Sequence, residues 1–323
     1  MQRETNNVTN LYSEQSSKKE SNEPQAYGEI EPWPEPVDAS CWADAVRDVR
    51  RHIFLTEDQA WTAVLWVGHS HIYHRWDITP RLIITAPMLG CGKSTLAGLL
   101  ADMSDRVIEA GSCTLSAYVT YASRQNQTFF IDEAQIGFGK RGGNPEMCKV
   151  LNNGYMKGMD YHKAVGDNHT PTAFSVYSPT ALVGTKLQTL LRDDTLSRSI
   201  LIYMNKAKGN QLPERYKRRK HQEKFKVHGR KIKRWLRDNL DQIPYEPDFK
   251  NDEISSRLED NWTPLLAIAE TVSNELADRV VRIVNSDTGL HRDEKSLELV
   301  WCLYAFPLPI FCLSLGGTDS SFL

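Results

Sequence analysis

The stretch that decides the fold lies at residues 81–95 and reads Arg-Leu-Ile-Ile-Thr-Ala-Pro-Met-Leu-Gly-Cys-Gly-Lys-Ser-Thr. Its apolar first half predicts a strand, its glycines a tight turn, and Lys93 with Ser94 the start of a helix. Such an order forms a cradle for phosphate, because the N–H groups of the turn and the positive end of the helix dipole face an anion. We expect Lys93 to reach the β- and γ-phosphates of a nucleotide and the Ser94 hydroxyl to complete a Mg²⁺ shell.

The phosphate-loop pattern is incomplete at one position. The full pattern has a glycine five residues before Gly92, where this chain has Pro87. A Gly-Lys-Ser tripeptide alone is weak evidence, so the interpretation depends on its context. On that interpretation the residues that contact the nucleotide are Pro87, Gly90, Cys91, Gly92, Lys93, Ser94 and Thr95.

A second motif supplies the context. Thr128–Ile131 is a short apolar run of strand-forming residues that predicts a buried strand, and it ends in Asp132-Glu133. We expect Asp132 to hold the Mg²⁺ shell through water and Ser94, and Glu133 to orient and polarise the attacking water. The alternative is a strand that merely stops at an acidic turn. Together the two motifs, of Walker A and Walker B type, predict a site that binds and hydrolyses Mg-ATP.

Strand and helix patterns alternate through the middle of the chain. The strand candidates are Arg81–Thr85, Arg106–Glu109, Thr128–Ile131, Thr180–Val183 and Ser199–Tyr203, with helices beginning near Lys93, Leu115 and Pro145. This alternation predicts an α/β fold, in which a parallel sheet carries helices on both faces and binds ligands at the carboxyl ends of its strands. The fold expected is a P-loop NTPase core flanked by N-terminal and C-terminal helical regions.

Two more residues are candidates for the catalytic site. Thr185 follows the fourth strand candidate and would bond the γ-phosphate or the lytic water; the alternative is an ordinary turn threonine. Arg198 precedes the fifth and would neutralise charge on the transferred phosphoryl group, often across a subunit boundary. Its alternative is a structural ion pair with Asp193 or Asp194. The predicted catalytic set is therefore Glu133, Lys93, Arg198 and Thr185.

Bulk composition is that of an ordinary globular protein, with 40% hydrophobic and 25% charged residues and a net charge of −2. The six cysteines show no CxxC spacing, which argues against a zinc site or a disulfide framework. The N-terminus has no apolar signal region, so we expect a cytoplasmic protein. The apolar run at 299–315 is short and interrupted by Pro307 and Pro309, so no membrane span is expected.

Composition divides the chain into five segments. These are a disordered, polar, proline-rich tail (1–36), a helical segment (37–80), the ATPase core (81–206), a basic helical domain (207–300) and an apolar tail (301–323). Within the helical segment, Thr56 to Gln59 is a capping box, and His69, His71 and His74 are expected to pack or hydrogen-bond, with a metal site as the alternative. Farther on, Thr263 and Pro264 predict a helix start.

A basic segment stands out between Arg215 and Arg237. It contains twelve Lys or Arg residues and one acid, Glu223, with Tyr216, Phe225 and Trp235 interleaved. Like charges with aromatic residues can follow a phosphate backbone. The alternative is a solvated helix beside an acidic partner. The segment predicts DNA as a partner, with single- versus double-stranded substrate and DNA versus RNA left open.

With these motifs in place, the chain resembles a bacterial family of mobile-element and phage P-loop proteins, catalogued as domain of unknown function 3631. The resemblance extends over 31–299. The residues that carry it are 31–38 (Glu-Pro-Trp-Pro-Glu-Pro-Val-Asp), 79–82, Pro87, 91–95, 131–134, 195–200 and 260–269. The family tolerates proline at the position of Pro87.

The resemblance implies an ATPase similar to helicases of mobile-element and phage DNA replication, with ATP and Mg²⁺ as cofactors and a homo-oligomeric ring as the assembly. Family members usually continue past the point where this chain ends, so a truncated C-terminus is also expected. Two alternatives stay open. One is a nucleotide-dependent switch or regulator without nucleic-acid activity, and the other is an inactive truncated remnant.

Overall fold

The computed structural model describes residues 28–124, 127–249 and 254–287. Its centre is a parallel five-stranded sheet in the order β2-β3-β6-β1-β7, and a separate antiparallel pair, β4-β5, stands beside it. The strands are β1 Arg81–Ala86, β2 Val107–Ala110, β3 Thr128–Ile131, β4 Tyr161–Val165, β5 Thr170–Phe174, β6 Thr180–Thr185 and β7 Ser199–Tyr203. All five strand candidates are therefore confirmed, with ends that shift by no more than two residues.

Helices cover the sheet on both sides. Those preceding or within the core are α1 Ser40–His52, α2 Glu57–Ile72, α3 Lys93–Met103, α4 Leu115–Ser123, α5 Ala134–Phe138, α6 Pro145–Asn153, α7 Leu187–Leu190 and α8 Asp193–Leu196. Those following it are α9 Arg218–Asn239, α10 Ser256–Val272 and α11 Asn274–Asp287. The three helix starts predicted at Lys93, Leu115 and Pro145 are confirmed.

The central strands bury both of their faces, as a sheet between two helical layers requires. On β1, Leu82 and Ile84 join the core formed with α1, α2, α3, α9, α10 and α11, whereas Ile83 joins the core formed with α4, α5 and α6. On β3, Phe130 faces the first core, and Phe129 faces the second. The expected α/β class, a parallel sheet with helices on both faces and helical regions before and after it, is confirmed. The exact segment boundaries and the P-loop NTPase identity of the core stay predictions.

The first of these cores also joins the two helical flanks. Trp42 of α1 meets Trp235 of α9 edge to face, with ring centroids 5.5 Å apart. Leu265 and Leu266 of α10 belong to the same cluster of buried side chains. Helices from before and after the sheet therefore share one hydrophobic interior.

Two local predictions need correction. The helix expected to start at Thr263 and Pro264 begins at Ser256 and is capped by the Ser255 hydroxyl, so Pro264 lies inside α10. Packing of the turns before the proline, where Leu258 and Trp262 are buried, outweighs the hydrogen bond that proline cannot make.

The second correction concerns the N-terminal tail, predicted as disordered through residue 36. Residues 29–34 instead lie along α9, where the Trp33 N–H donates to the Arg230 carbonyl at 3.0 Å. Backbone and side-chain hydrogen bonds to α9 hold this segment in place. Its polar composition does not predict order, because it contains too few apolar residues to form a core of its own. Residues 1–27 and the predicted apolar tail at 301–323 lie outside the described residues.

The β4-β5 hairpin was not predicted. Most of it is exposed, and it is attached through Tyr161, whose hydroxyl donates to Glu146 at 2.6 Å. A turn signal exists at Gly166-Asp167-Asn168, but Pro171 and the polar strands around it obscure the pattern. Among the described residues, no helix is long and apolar enough to cross a membrane.

The capping box at Thr56 is confirmed, with both reciprocal bonds to Gln59 present. The histidines behave as packing groups. His69 is buried and its Nε2 lies 3.0 Å from the Thr79 hydroxyl, while His71 Nε2 lies 3.0 Å from the Met103 carbonyl. His74 is exposed and rests against Tyr73, with ring centroids 4.0 Å apart. In the described part of the chain no cluster of three or more metal-ligating side chains occurs.

Burial lowers the pKa of His69 to about 3. In the unfolded chain this histidine takes up a proton below about pH 6.5, so its contribution to stability is present above that pH and is lost as the pH falls. We expect protonation of this histidine in the unfolded chain to lower the free energy of unfolding by about 2 kcal/mol between pH 7 and pH 5, at about 1.4 kcal/mol per pH unit below 6.5.

Urea unfolding at both pH values measures this loss. His69→Asn should lower stability at pH 7 but flatten the pH dependence, and His162→Asn on the exposed strand β4 is the matched control. Equal slopes in wild type and His69→Asn would contradict the assignment.

Candidate active site

The loop between β1 and α3 has the shape that the sequence predicts. Gly90 and Gly92 have φ angles of 78° and 88°, in the left-handed region that glycine adopts without strain. Gly92 is the N-cap residue of α3, so the free N–H groups of the first helical turn open toward the loop. This local geometry follows from the glycine spacing alone.

Lys93 is the first residue of α3 and curls back over this loop. Its ammonium donates to the Met88 carbonyl at 3.3 Å, and only 8% of the residue is exposed. The positive charge is thus held above the loop rather than extended into solvent. Phosphate oxygens that enter the loop would meet this charge together with the N-terminal dipole of α3.

A hydrogen bond connects the two motifs. The Ser94 hydroxyl donates to Asp132 Oδ2 at 2.8 Å, although 38 positions separate the residues. Ser94 lies in the first turn of α3, and Asp132 follows the last residue of β3. The predicted convergence of the loop and the first acidic residue at one rim of the sheet is therefore present in the structure.

Glu133 sits beside this contact. Its φ is 50°, a left-handed conformation that is uncommon for a residue with a side chain. Its N–H donates to Asp132 Oδ1 at 2.9 Å, and its carboxylate accepts a hydrogen bond from the Gln135 amide. The tight turn after β3 turns the second carboxylate back toward the rim.

Gln135 is a residue that sequence reasoning missed. Its amide approaches Gly184 so closely that a β-carbon on that glycine would clash with Gln135 Oε1. Gly184 precedes Thr185 at the end of β6. Nothing in the sequence marks this pair, because a glutamine two residues after an acid carries no motif of its own.

Thr185 ends β6, the strand that lies between β1 and β3. It is paired in register with Ala86, the last residue before the loop, so it stands between the loop and the acidic pair. Lys186, with φ 55°, donates its N–H to the Ala86 carbonyl at 3.0 Å and fixes the end of the strand. The structure thus brings Thr185 to the same rim as Lys93 and Asp132.

Arg198 lies at the amino end of the strands, opposite the rim that carries the loop and the acidic pair. It precedes β7, and its carbonyl accepts from the N–H of Arg81, the first residue of β1. Since the loop follows the last residue of β1, a strand length of about 17–20 Å separates the two positions. The structure does not bring Arg198 into the site of its own chain.

The surroundings of Arg198 also differ from the alternative interpretation, an ion pair with Asp193 or Asp194. Its guanidinium donates to the Asp194 carbonyl at 2.5 Å and lies 5.7 Å from the centroid of the Tyr155 ring. Burial and the nearby Arg257 lower its pKa. Asp193 pairs with Lys140 at 2.8 Å instead.

The basic segment is a helix that is largely tied to the rest of the chain. Arg218 forms ion pairs with Asp102 at 2.7 Å and Glu109 at 2.8 Å. Lys224 pairs with Asp48 at 2.7 Å. These are contacts between α9 and the core, and Lys233 makes another with Asp105 at 2.9 Å. Part of the charge that the sequence displays is therefore directed toward core carboxylates.

Two of the three aromatic residues that the sequence interleaves with the cations are buried rather than exposed beside them. Phe225 is fully buried and Trp235 is 4% exposed, because both fall on the apolar face of α9. Tyr216 is half-buried and donates its hydroxyl to Asp102 at 2.8 Å. Exposed cations in the segment's first half include Arg215, Lys217, Arg219 and Lys220, as well as Lys224, which pairs with Asp48.

The oxygen groups at the rim suit a hard divalent cation. Mg²⁺ in nucleotide sites is held by one or two protein oxygen ligands, by phosphates and by water. Ser94 and Asp132 supply a hydroxyl and a carboxylate that already lie within hydrogen-bond distance of each other, and both residues are accessible at the surface. The residues present therefore fit a magnesium–nucleotide site.

Comparison with known proteins supports the resemblance for part of the chain. Residues 203–298 match a family model described as "Protein of unknown function (DUF3631)". The match begins at the last residue of β7, so it covers the helices after the sheet and leaves the loop between β1 and α3 and the acidic pair outside. No curated protein matches the chain.

Among solved structures, one that resembles this fold is described as "The X-ray structure of Inhibitor Bound to JCV Helicase". The two chains are 13% identical with a TM-score of 0.30, and the alignment covers 80% of this chain and 63% of that one. This chain thus spans less than two thirds of the helicase chain. At this level of similarity the comparison carries no functional argument.

The loop conformation leads to a matched pair of substitutions. Gly92→Ala places a β-carbon on a residue with φ 88°, although the nearest side-chain atom, on Ile53, is at an ordinary 3.4 Å. We expect backbone strain of about 1–2 kcal/mol and weaker nucleotide binding.

Gly98→Ala in the same helix meets no atom within 4 Å and should raise stability by up to about 1 kcal/mol. Urea unfolding and titration with a fluorescent ATP analogue measure both effects. Equal effects of the two substitutions would contradict a strained loop.

Proposed function

We propose that this chain is a P-loop ATPase that binds Mg-ATP at the carboxyl rim of its sheet and hydrolyses it. The observation that carries the proposal is the 2.8 Å hydrogen bond between Ser94 and Asp132. It joins a phosphate-type loop to an acidic strand end, and both are needed for a metal-bound polyphosphate. The Lys93 ammonium beside the same loop supports the proposal further.

In this proposal the residues of the loop bind the phosphates of ATP, and the acidic pair holds the metal and orients the attacking water. N–H groups from Gly90 to Thr95 and the Lys93 ammonium hold the β- and γ-phosphates. Ser94 and Asp132 would hold a magnesium ion, and the ion would supply charge neutralisation at the phosphates. Pro87 and Cys91 shape the turn, with Cys91 buried beneath it.

Glu133 is the residue we assign to the water. Its carboxylate orients a water molecule in line with the γ-phosphate and accepts a proton as the new P–O bond forms and the bond to ADP breaks. The Gln135 amide, which hydrogen-bonds this carboxylate, is a positioning residue. Thr185, between the loop and Glu133, bonds the γ-phosphate or the same water.

Arg198 has a role in this scheme only for a second copy of the chain. It lies at the amino end of the strands of its own sheet, so its guanidinium would contact the γ-phosphate bound by a neighbouring subunit. A ring of subunits arranges such contacts. The rim of the site carries apolar side chains suited to a subunit contact, with Met88 51%, Leu89 76% and Ile136 65% exposed.

We further propose that turnover is coupled to nucleic acid, as in helicase-like ATPases of mobile-element or phage replication. The support is the exposed group Arg215, Lys217, Arg219 and Lys220, which lies just before and within the first turn of α9. Salt-dependent contact with a phosphate backbone is what such a group provides. The helical regions on either side of the ATPase core would carry this contact and the assembly.

The test is an ATPase assay on purified protein with Mg²⁺. Lys93→Ala should lower kcat/KM by at least about 100-fold, since it removes the charge that meets the phosphates. Glu133→Gln should keep ATP affinity while kcat falls about 100- to 10,000-fold. Lys149→Ala, an exposed lysine on α6, is the matched control and should turn over as wild type does.

Three results would contradict the proposal. Retained turnover in Lys93→Ala would mean that the loop is not the phosphate site. Lost ATP binding in Glu133→Gln would refute its assignment to water. Tight ATP binding by wild type without turnover, alone or with DNA, would instead favour the nucleotide-dependent switch.

A further inference from the structure

An extended N-terminal segment covers the second half of the basic helix. Residues 29–34, here called the strap, contact α9 through backbone and side-chain bonds. The Arg230 Nε donates to the Glu31 carbonyl at 3.0 Å, and Arg234 donates to the Pro34 carbonyl at 2.6 Å. The strap thus offers a row of acceptor oxygens to the cations of the helix.

The first residue of the strap adds a negative charge. Glu29 forms ion pairs with Arg106 at 2.5 Å and with Lys233 at 3.1 Å. Hydrogen bonds from these two cations lower the pKa of Glu29. The next residue, Ile30, donates its N–H to Asp105 Oδ1 at 2.6 Å, which fixes the strap to the loop before β2.

The aromatic residue of the strap stacks against charge. The Arg230 guanidinium carbon lies 5.0 Å from the centroid of a Trp33 ring, and the Lys231 ammonium lies 5.5 Å away. Cations at these distances are attracted to the face of an indole. A flat ring and a row of acceptor oxygens therefore alternate along one extended chain.

These are the groups that single-stranded nucleic acid presents. Its phosphates supply anionic acceptors, and its bases are flat rings that stack on guanidinium planes. We propose that the second half of α9, together with Arg106, is a contact surface for single-stranded nucleic acid that the strap occupies in cis. An incoming strand replaces Glu29 with phosphate and Trp33 with a base.

Helix geometry joins this covered surface to the open one. Arg219 and Arg230 are eleven residues apart, as are Lys220 and Lys231, and eleven residues make just over three full turns. Each pair therefore lies on one face of α9, about 16 Å apart along the axis. Glu223, held by Lys226 at 2.8 Å, is the one acid in the sequence between them. Displacement of the strap lengthens the basic stripe.

The contacts also determine which cations are released. Without the strap, Lys233 keeps its ion pair with Asp105 at 2.9 Å, and Arg234 keeps Asp238 at 2.6 Å. Arg230, Lys231 and Arg106 lose the strap contacts described above. Three cations thus become available to phosphate, while two remain partly occupied.

The proposal rests on the nucleic-acid contact of the proposed function, and its test contains no nucleotide, so hydrolysis does not enter. The full chain is titrated onto a labelled oligo-dT strand over a range of salt concentrations, with binding read by fluorescence anisotropy. The variants are Glu29→Gln alone and Glu29→Gln with Trp33→Ala. Glu35→Gln is the matched control, because it removes the same charge from an exposed neighbouring position.

The double variant should bind at least about tenfold more tightly at low salt. Its slope of log Kd against log salt should steepen by about 2, since three released cations each contribute about 0.7 with a single strand. Glu29→Gln should give a smaller change, and Glu35→Gln none. Neutralising Arg106, Arg230 and Lys231 to Gln in the double variant should restore the wild-type slope.

Several results would overturn the proposal. These are an unchanged slope in the double variant with a wild-type circular-dichroism spectrum, an equal gain in Glu35→Gln, or a gain that survives neutralisation of the three cations. Equal binding of a matched poly-glutamate would assign the surface to acidic protein instead. Absence of any DNA binding would refute the proposal for the strap, while the ATP hydrolysis proposed above would still be tested separately by the ATPase assay.

Discussion

The hydrogen bond between Ser94 and Asp132 is the constraint on which the site depends. It joins the start of α3, the helix that follows β1, to the end of β3. In the sheet, β6 lies between β1 and β3. A parallel sheet in this order places the loop after β1, Thr185 after β6 and the acidic pair after β3 at one rim. If β6 lay elsewhere in the sheet, Thr185 would not stand between the loop and the acidic pair. The rim would then lack one of its three components.

The far end of α3 is held as firmly as its beginning. Asp102, whose side chain is 1% exposed, accepts from Arg218 at 2.7 Å, Tyr216 at 2.8 Å and Gln222 at 2.9 Å. A buried carboxylate needs such partners, because desolvation without them is costly. The helix that begins with Lys93 is therefore clamped at its other end by α9. The same helix that carries the exposed cations thus supports the loop, and the strap adds a further layer over its second half.

The core elements could be predicted because their signals are local. The strand at 81–86, the glycines and the acidic pair are contiguous motifs, and their convergence follows from one topological rule. What failed depended on distant contacts. Pro264 lies inside a helix because buried Leu258 and Trp262 support the turns before it. Phe225 and Trp235 are interleaved with the cations in the sequence, but helical periodicity and the neighbouring helices turn them inward. The strap is fixed by α9, about 200 positions along the chain, and no local pattern encodes that pairing.

The most direct test of the central claim is a crystal structure of the protein with Mn²⁺ and a non-hydrolysable ATP analogue, with the metal located by its anomalous signal. Our account predicts a manganese peak within coordination distance of the Ser94 hydroxyl, within reach of Asp132 directly or through one water, and the γ-phosphate beside the Lys93 ammonium. A nucleotide bound elsewhere, or a metal held away from both Ser94 and Asp132, would contradict it.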